Sequence, residues 1–301
     1  MAGAAGSFLN KWWFGSRQQT QVCYALATDG ERRYVDLVAI SALAVRQIHP
    51  AAKITILTDD RSLPIITSLL DAYGLATHVR SVGAYASWVG ARSRFAKTQV
   101  RQFVDGDFLY LDADAIPVAA FDELFRKTKG PLCAAIDRSP KAPAGSGFPS
   151  WAEPTFDRLG WSHPPPFYLN SGVVLWRDTP MSRRLGKLWH QNWLRFFDMS
   201  KDFADQPAFN YSLNSLGISP AIMHDRYNAR VGLSREFADG ASIYHFYASD
   251  NGLPGRMAVE EMLTKFRAGV ALDGSAIDAA LARSHDSWQA LPDGLAVSGD
   301  Q

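Results

Sequence analysis

The chain has 301 residues, 47% of them hydrophobic, and its 31 basic and 30 acidic side chains leave a net charge of +1. That length and apolar content allow one large core or two small ones, and the balanced charge, without a basic stripe, excludes nucleic acid as the expected partner. No apolar run reaches the roughly 18 residues that a membrane-spanning helix needs.

Met1 to Thr20 has neither a long apolar segment nor a clean cleavage site, so no signal peptide is expected. The segment carries Phe8, Lys11, Trp12, Trp13, Phe14 and Arg17. Two readings stand for it: a tail that docks on the domain or does nothing, and a basic–aromatic patch that makes peripheral contact with a membrane. Val22 to Ala27 is a short apolar run and predicts a first strand. Tyr34 to Ile48 has helical spacing at Leu37, Ile40, Ala44 and Ile48, and stops at His49-Pro50. Lys53 to Thr58 predicts a second strand ending in Asp59-Asp60, Pro64 to Tyr73 a helix closed by Gly74, and Thr77 to Val82 a third strand. Ser93 is placed to cap a helix running to Phe103, and Asp107 to Leu111 predicts the next strand. Strands and helices alternating in this way predict an α/β fold, with a mostly parallel mixed sheet and helices on both faces.

Leu132 to Ile136 predicts a further buried strand ending at Asp137. Ser139 to Pro166 is rich in Pro, Gly and Ser and carries Trp151 and Trp161, which reads as a long loop, either disordered or a substrate lid on the acceptor side. Phe167 to Trp176 reads as a strand interrupted by Asn170-Ser171-Gly172. Helices are predicted at Met181 to Phe197 and from Gln206 to Leu216, and a last strand at Ala241 to Tyr247 carries His245. Beyond Ala268 the composition predicts a weak helix and then a frayed tail. The expected organisation is an N-terminal tail (1–20), one domain (21–267) and a C-terminal tail (268–301). Both cysteines, Cys23 and Cys133, fall in apolar runs and read as buried thiols without a disulfide framework, which favours a reducing, cytoplasmic setting.

The most informative stretch runs from Phe108 to Pro117, where an apolar run ends in Asp112-Ala113-Asp114. On an extended backbone residues two apart share a side, so both carboxylates can reach one point at a strand end. Held together they repel unless a cation lies between them, and a divalent metal is the simplest reason for the pair. In an open α/β sheet the carboxyl ends of the strands are also where ligands bind.

Taken in order, Ala27-Thr28-Asp29, Arg94 and Lys97, Asp112-Ala113-Asp114, Asn170-Ser171-Gly172, Asp205-Gln206, Arg226-Tyr227-Asn228 and His245 resemble glycosyltransferase family 8, the glycogenin and bacterial galactosyltransferase group. The resemblance covers roughly Gln21 to Tyr247. It implies a single GT-A, Rossmann-like domain that transfers a hexose from a nucleotide diphosphate sugar, a UDP-sugar, to a glycan, glycolipid or protein acceptor, with retention. It also implies His245 as a third metal ligand beside Asp112 and Asp114. Manganese suits such mixed carboxylate and imidazole ligands, with magnesium as the alternative. Thr28, Asp29 and Asp59 then fall where base and ribose are contacted, though Asp29 and Asp59 read equally as turn residues. Arg94 falls beside the diphosphate or the acidic pair, or is a solvated helix residue; Lys97, one turn on, assists or is exposed. Asp137, Asn170, Asp205 and Gln206 surround the transferred sugar, with Asp205 and Gln206 at the reacting centre. Asp205 also reads as a helix N-cap. Gln206 is a poor nucleophile and is expected to position substrate or stabilise charge, and Asn228 is expected to be structural. Trp151 or Trp161 can pack on a sugar ring, or both can be packing residues.

The resemblance departs after His245, where the family's phosphate-clamping Lys-Pro-Trp is replaced by Phe246 to Arg256; either Arg256 substitutes for the missing lysine or the loop does not clamp. Two rivals follow. One is a non-catalytic sugar-nucleotide-binding protein of the same fold. The other is a haloacid-dehalogenase-type phosphatase, which would use the first Asp of such a pair as nucleophile but normally carries the pair on its first strand.

Overall fold

The computed structural model describes residues 19–137, 150–162, 168–231, 240–246 and 256–282. The N-terminal basic–aromatic segment and most of the Ser139 to Pro166 stretch lie outside them.

The first half builds β1 (Gln21–Ala25), α1 (Arg33–Ile48), β2 (Lys53–Thr58), α2 (Leu63–Ala72), β3 (His78–Ser81), α3 (Val89–Lys97), α4 (Val100–Phe103) and β4 (Phe108–Leu111). It continues through β5 (Ala115–Pro117), α5 (Asp122–Lys127), β6 (Leu132–Ile136), α6 (Glu153–Leu159) and β7 (Leu169–Trp176). The remainder is α7 (Pro180–Ser200), α8 (Gln206–Ser215), β8 (Ala221–Ile222), β9 (Ala229–Arg230), β10 (Ile243–His245), α9 (Arg256–Arg267) and α10 (Gly274–Ala282). Seven strands form the central sheet in the order β3-β2-β1-β4-β7-β6-β8, and β5-β10-β9 form a small second sheet. Strands β3, β2, β1 and β4 are parallel, and β7 runs antiparallel to both β4 and β6. This is the expected mostly parallel mixed sheet.

Strand periodicity sorts the core into layers. Phe108 and Tyr110 of β4 join Val174 and Trp176 of β7 under α3, α4, α7 and α8, where Trp189, Trp193 and Phe196 of α7 are buried. Leu109, Leu111, Val173 and Leu175 face the other way, onto Val35, Val38 and Val45 of α1 and Ile66 and Leu70 of α2. Ser41 of α1 ties the two sheets, bonded to Tyr24 Oη of β1 at 2.8 Å and donating to the carbonyl of Ala115 in β5 at 2.6 Å. The small sheet packs with α1, α9 and α10 through Leu37, Ile116, Tyr244, Val259, Met262 and Ile277. Helix α7 starts where Thr179 accepts from Ser182 N–H, with Pro180 in the first turn, the pairing of cap and proline that favours a helix start. The thiols of Cys23 and Cys133 are free and buried, and burial pushes the Cys133 thiol up to about 11.

Three sequence expectations are corrected. Ser93 does not cap a helix; it lies inside α3, and its Oγ accepts the Ala27 backbone N–H at 2.8 Å, pinning α3 to the end of β1. The stretch read as one long loop contains a short helix, α6. Strand β7 is not interrupted, because Asn170, Ser171 and Gly172 stay in the strand and are buried. Their polar groups are satisfied beyond the end of β4, where Asp112 N–H donates to the Gly172 carbonyl at 2.7 Å.

Candidate active site

The site forms where the central sheet meets the small one. Strand β4 ends at Leu111, and Asp112 to Ala115 make a tight turn closed by Ala115 N–H donating to the Asp112 carbonyl at 3.0 Å. The two carboxylates therefore converge through a turn, not through the side-alternation of an extended strand as the sequence suggested. Strand β5 leaves the turn and pairs antiparallel with β10, setting His245 opposite Ala115. Phe246 N–H donates to the Asp114 carbonyl at 2.9 Å and fixes that register. Asp112, Asp114 and His245 each offer a ligand atom within 4.8 Å of the others. His245 is buried and its Nε2 is 3.4 Å from Asp114 Oδ1. Burial opposes ionisation of Asp114, but the neighbouring His245 and Arg94 outweigh it and hold the carboxyl below its ordinary range.

Two cations from α3 enter the same space. Lys97 is buried, contrary to its exposed reading, and its Nζ contacts Asp112 Oδ1 at 2.9 Å, Asp205 Oδ2 at 3.2 Å and Ser171 Oγ at 3.3 Å. Arg94 Nε pairs with Asp205 Oδ1 at 3.0 Å. Burial works against the Arg94 charge, yet Asp205 and Asp112 hold the guanidinium above its ordinary range. Asp205 occupies the N-cap position of α8, but its side chain caps nothing. It faces inward and accepts also from Ser171 Oγ at 2.7 Å. Tyr110 Oη donates to Asp112 Oδ1 at 2.7 Å, and burial followed by that carboxylate pushes the phenol well up.

The amide of Gln206 is held at both ends: Oε1 accepts from Ser171 N–H at 3.0 Å and Nε2 donates to Asp137 Oδ2 at 2.7 Å. Arg230 of β9 is buried, pairs with the other oxygen of Asp137, and donates to the Ile136 carbonyl at 2.9 Å. Asn170 Oδ1 accepts Gly172 N–H at 2.9 Å. Gln206, Asp137, Ser171 and Asn170 line one cavity of about 240 Å³ with Asp112, His245, Tyr168, Trp151 and Phe203. Trp151 is 50% exposed, whereas Trp161 is buried and stacks on Tyr211 with ring centroids 4.1 Å apart.

Thr28, Asp29 and Asp59 end β1 and β2 on the same sheet edge. Arg92 gathers them: it pairs with Asp59, with Asp29 at 2.7 Å, and with the Thr28 carbonyl at 3.1 Å. Asp59 is buried and also accepts Ser62 N–H at 2.8 Å, and Thr28 Oγ1 donates to the Glu31 carbonyl at 2.7 Å. Asp29 remains 43% exposed. A second cleft of about 500 Å³, lined by Asp59, Arg61, Tyr85 and Arg92 among others, opens there. Helix α3 thus serves both clefts, with Arg92 at one and Arg94 and Lys97 at the other.

Sequence reasoning missed Arg92, Tyr110, Ser171 and Arg230. Arg92 carried a signal, because Arg92, Arg94 and Lys97 crowd three cations into six residues. Arg230 carried none. Arg256, the candidate substitute for the phosphate-clamping lysine, opens α9 and is exposed, and residues 247–255 before it lie outside the described residues.

This architecture is that of the GT-A glycosyltransferases, as the resemblance implied. Among solved structures, the galactosyltransferase LgtC, determined with donor and acceptor sugar analogues, matches with a TM-score of 0.51 at 14% identity, covering 91% of this chain and 98% of that one. The bifunctional glycosyltransferase WbbM matches with a TM-score of 0.52 at 13% identity over 86% of this chain and 53% of that one. The glycosyltransferase GlyE of Streptococcus pneumoniae matches with a TM-score of 0.51 at 18% identity over 89% and 65%. The chain therefore spans about half of the WbbM chain and just under two thirds of GlyE, but nearly all of LgtC. No protein-family model matches the chain, and no curated protein sequence matches it. Among the described residues no helix is long and apolar enough to cross a membrane.

Proposed function

We propose that this chain is a metal-dependent glycosyltransferase that moves a hexose from a UDP-sugar to a glycan or glycolipid acceptor, with retention. The observation that carries the reading is the convergence of Asp112, Asp114 and His245, of which Asp112 and His245 share one cavity with the clamped Gln206–Asp137 pair.

The donor set fits a divalent cation. Two carboxylates and an imidazole nitrogen suit manganese, with magnesium as the harder alternative. Gly172 supports the fit, because a Cβ at that position would overlap the His245 ring and lie 2.8 Å from Asp112 Oδ2, so these two groups approach each other only over a glycine. Such a cation neutralises charge developing on the departing nucleoside diphosphate. The chain supplies the rest. Asp29, the partly exposed carboxylate paired with Arg92, contacts the nucleoside, while Thr28 and Asp59 shape the loop through Arg92. Arg94 adds positive charge beside the diphosphate. Gln206, held by Ser171 and Asp137, presents a fixed amide dipole at the reacting centre, and preorganised dipoles stabilise charge without reorganisation. Asn170 and Asp205 complete the sugar pocket. The free, buried cysteines fit a reducing, cytoplasmic setting.

A haloacid-dehalogenase-type phosphatase normally carries its acidic pair on the first strand, whereas Asp112 and Asp114 follow β4, the fourth strand along the chain. A thermal-shift panel of UDP-, GDP- and other sugar nucleotides, with and without manganese, tests the proposal. Stabilisation by one nucleotide only with metal, and UDP release abolished by Asp112→Asn and Asp114→Asn, is the expected result. No shift with any nucleotide sinks the donor site; binding without turnover of any donor leaves the non-catalytic reading.

A further inference from the structure

The hydrogen-bond polarity around His245 is determined by a backbone group three steps away. Gly172 N–H can only donate, so the Asn170 atom 2.9 Å from it is the carbonyl oxygen. That same oxygen lies 3.0 Å from an amide group of Asn228, which must therefore be its NH2. The remaining Asn228 atom, its carbonyl oxygen, faces His245 Nδ1 at 2.8 Å. A carbonyl oxygen can only accept, so Nδ1 carries the proton and a neutral His245 keeps its bare lone pair on Nε2. Nε2 is the nitrogen that points toward Asp114. Asn228 and His245 are both buried, so water does not compete for these bonds.

We propose that Asn228, through Asn170 and the Gly172 backbone, is a positioning residue that fixes the tautomer and ring plane of His245 for metal ligation. The inference rests on the metal-centre reading above. It assigns Asn170 a role as well: its Oδ1 completes this relay, so the sugar pocket is served by its NH2 end alone. An imidazole held by one defined partner binds a cation more tightly than one that must first choose a tautomer, and loss of such a partner typically costs about 10- to 100-fold in metal affinity.

The test is Mn2+ binding to the full chain with UDP present, followed by electron paramagnetic resonance of the free ion. Wild type is compared with Asn228→Ala, which removes the acceptor, and Asn228→Asp, which keeps an acceptor for Nδ1–H. The expected result is an affinity about 10- to 100-fold weaker for the Ala variant and restored toward wild type for the Asp variant. A second measurement needs no variant. Long-range 1H–15N correlation of histidine-labelled metal-free protein at pH 8 should show Nδ1 of His245 protonated. An Nε2–H tautomer overturns the inference, as does equal affinity in wild type and Asn228→Ala. A wild type that binds no Mn2+ with UDP sinks the metal-centre reading and the inference with it, whereas equal binding sinks the inference alone.

Discussion

Lys97 sets its ammonium 2.9 Å from Asp112, inside the group of side chains proposed to hold a cation. The same nitrogen reaches Asp205, so one buried positive charge serves two carboxylates. Removing one member of a buried ionic cluster leaves the others uncompensated and typically costs about 3–5 kcal/mol. Lys97→Met should therefore lower the melting temperature of the metal-free protein. It should also enlarge the stabilisation produced by manganese, because the competing charge has gone. Lys97→Arg should not restore wild-type behaviour, since a planar guanidinium does not fit a site built for an ammonium. Thermal melts with and without manganese decide it; identical metal-induced shifts in wild type and Lys97→Met would show that Lys97 does not bear on the metal.

Gly172→Ala tests how closely the triad is packed. The added methyl would overlap the His245 ring and crowd Asp112. Inserting a methyl into a full site commonly costs about 1–3 kcal/mol, so the variant should fold with reduced stability. Its manganese affinity should fall by at least about tenfold, on the scale set by disturbing the support of a ligand. Calorimetric titration with manganese and UDP would read this directly, and unchanged affinity would move the metal away from His245.

Arg230 is predicted to act on the reacting centre through Asp137. Arg230→Met removes the guanidinium partner of the half-buried Asp137 carboxylate beside Gln206 and should destabilise by about 3 kcal/mol, the lower end for breaking a buried pair. The double variant Arg230→Met/Asp137→Leu should recover most of that stability, because neither charge remains, yet stay at least about a hundredfold below wild type in turnover, the scale of losing one preorganised dipole. A double-mutant cycle in melting and in turnover separates the two effects. Recovery of both together would make the pair purely structural.

These contacts show what a single sequence exposes. The acidic pair was legible because Asp112 and Asp114 break an apolar run abruptly, and the succession of strands and helices along the chain followed from apolar runs alternating with helical spacing. The burial of Lys97 was not legible, since its partners Asp112, Ser171 and Asp205 come from three other parts of the chain. Arg230 and Asp137 meet only because β9 of the small sheet brings Arg230 to the end of β6. Helix α6 could have been read: Pro154 in its first turn and Gly160 at its end, with φ +64°, are the usual start and stop pair. The loop-like composition around it hid that signal.

The two tryptophans of that region should separate cleanly. Trp161 is buried, stacked on Tyr211 and edge-on to Phe156, so Trp161→Ala should cost about 3–5 kcal/mol. Trp151 is half-exposed at the mouth of the cavity. Trp151→Ala should change stability by no more than about 0.5 kcal/mol and leave hydrolysis of the UDP-sugar unaltered. Transfer to a panel of simple glycosides should show a raised KM for the acceptor. A variant that loses hydrolysis and transfer equally would place Trp151 on the donor side.

His190 of α7 gives the fold a pH dependence independent of the site. Its Nδ1 is 2.8 Å from Thr98 Oγ1 and its ring lies edge-on to Phe95. Burial lowers its pKa from the ordinary 6.5 to about 4. A folded-state pKa below the unfolded value means that the native state disfavours the proton. The stabilisation is complete above about pH 6.5 and is lost as pH falls from there toward about 4. Allowing for partial exposure, the loss is on the order of 2 kcal/mol. His190→Gln carries no titrating group, so its urea midpoint should fall less than that of wild type between pH 7 and pH 4.5. Parallel pH profiles for the two proteins would show that His190 titrates alike in the folded and unfolded chains.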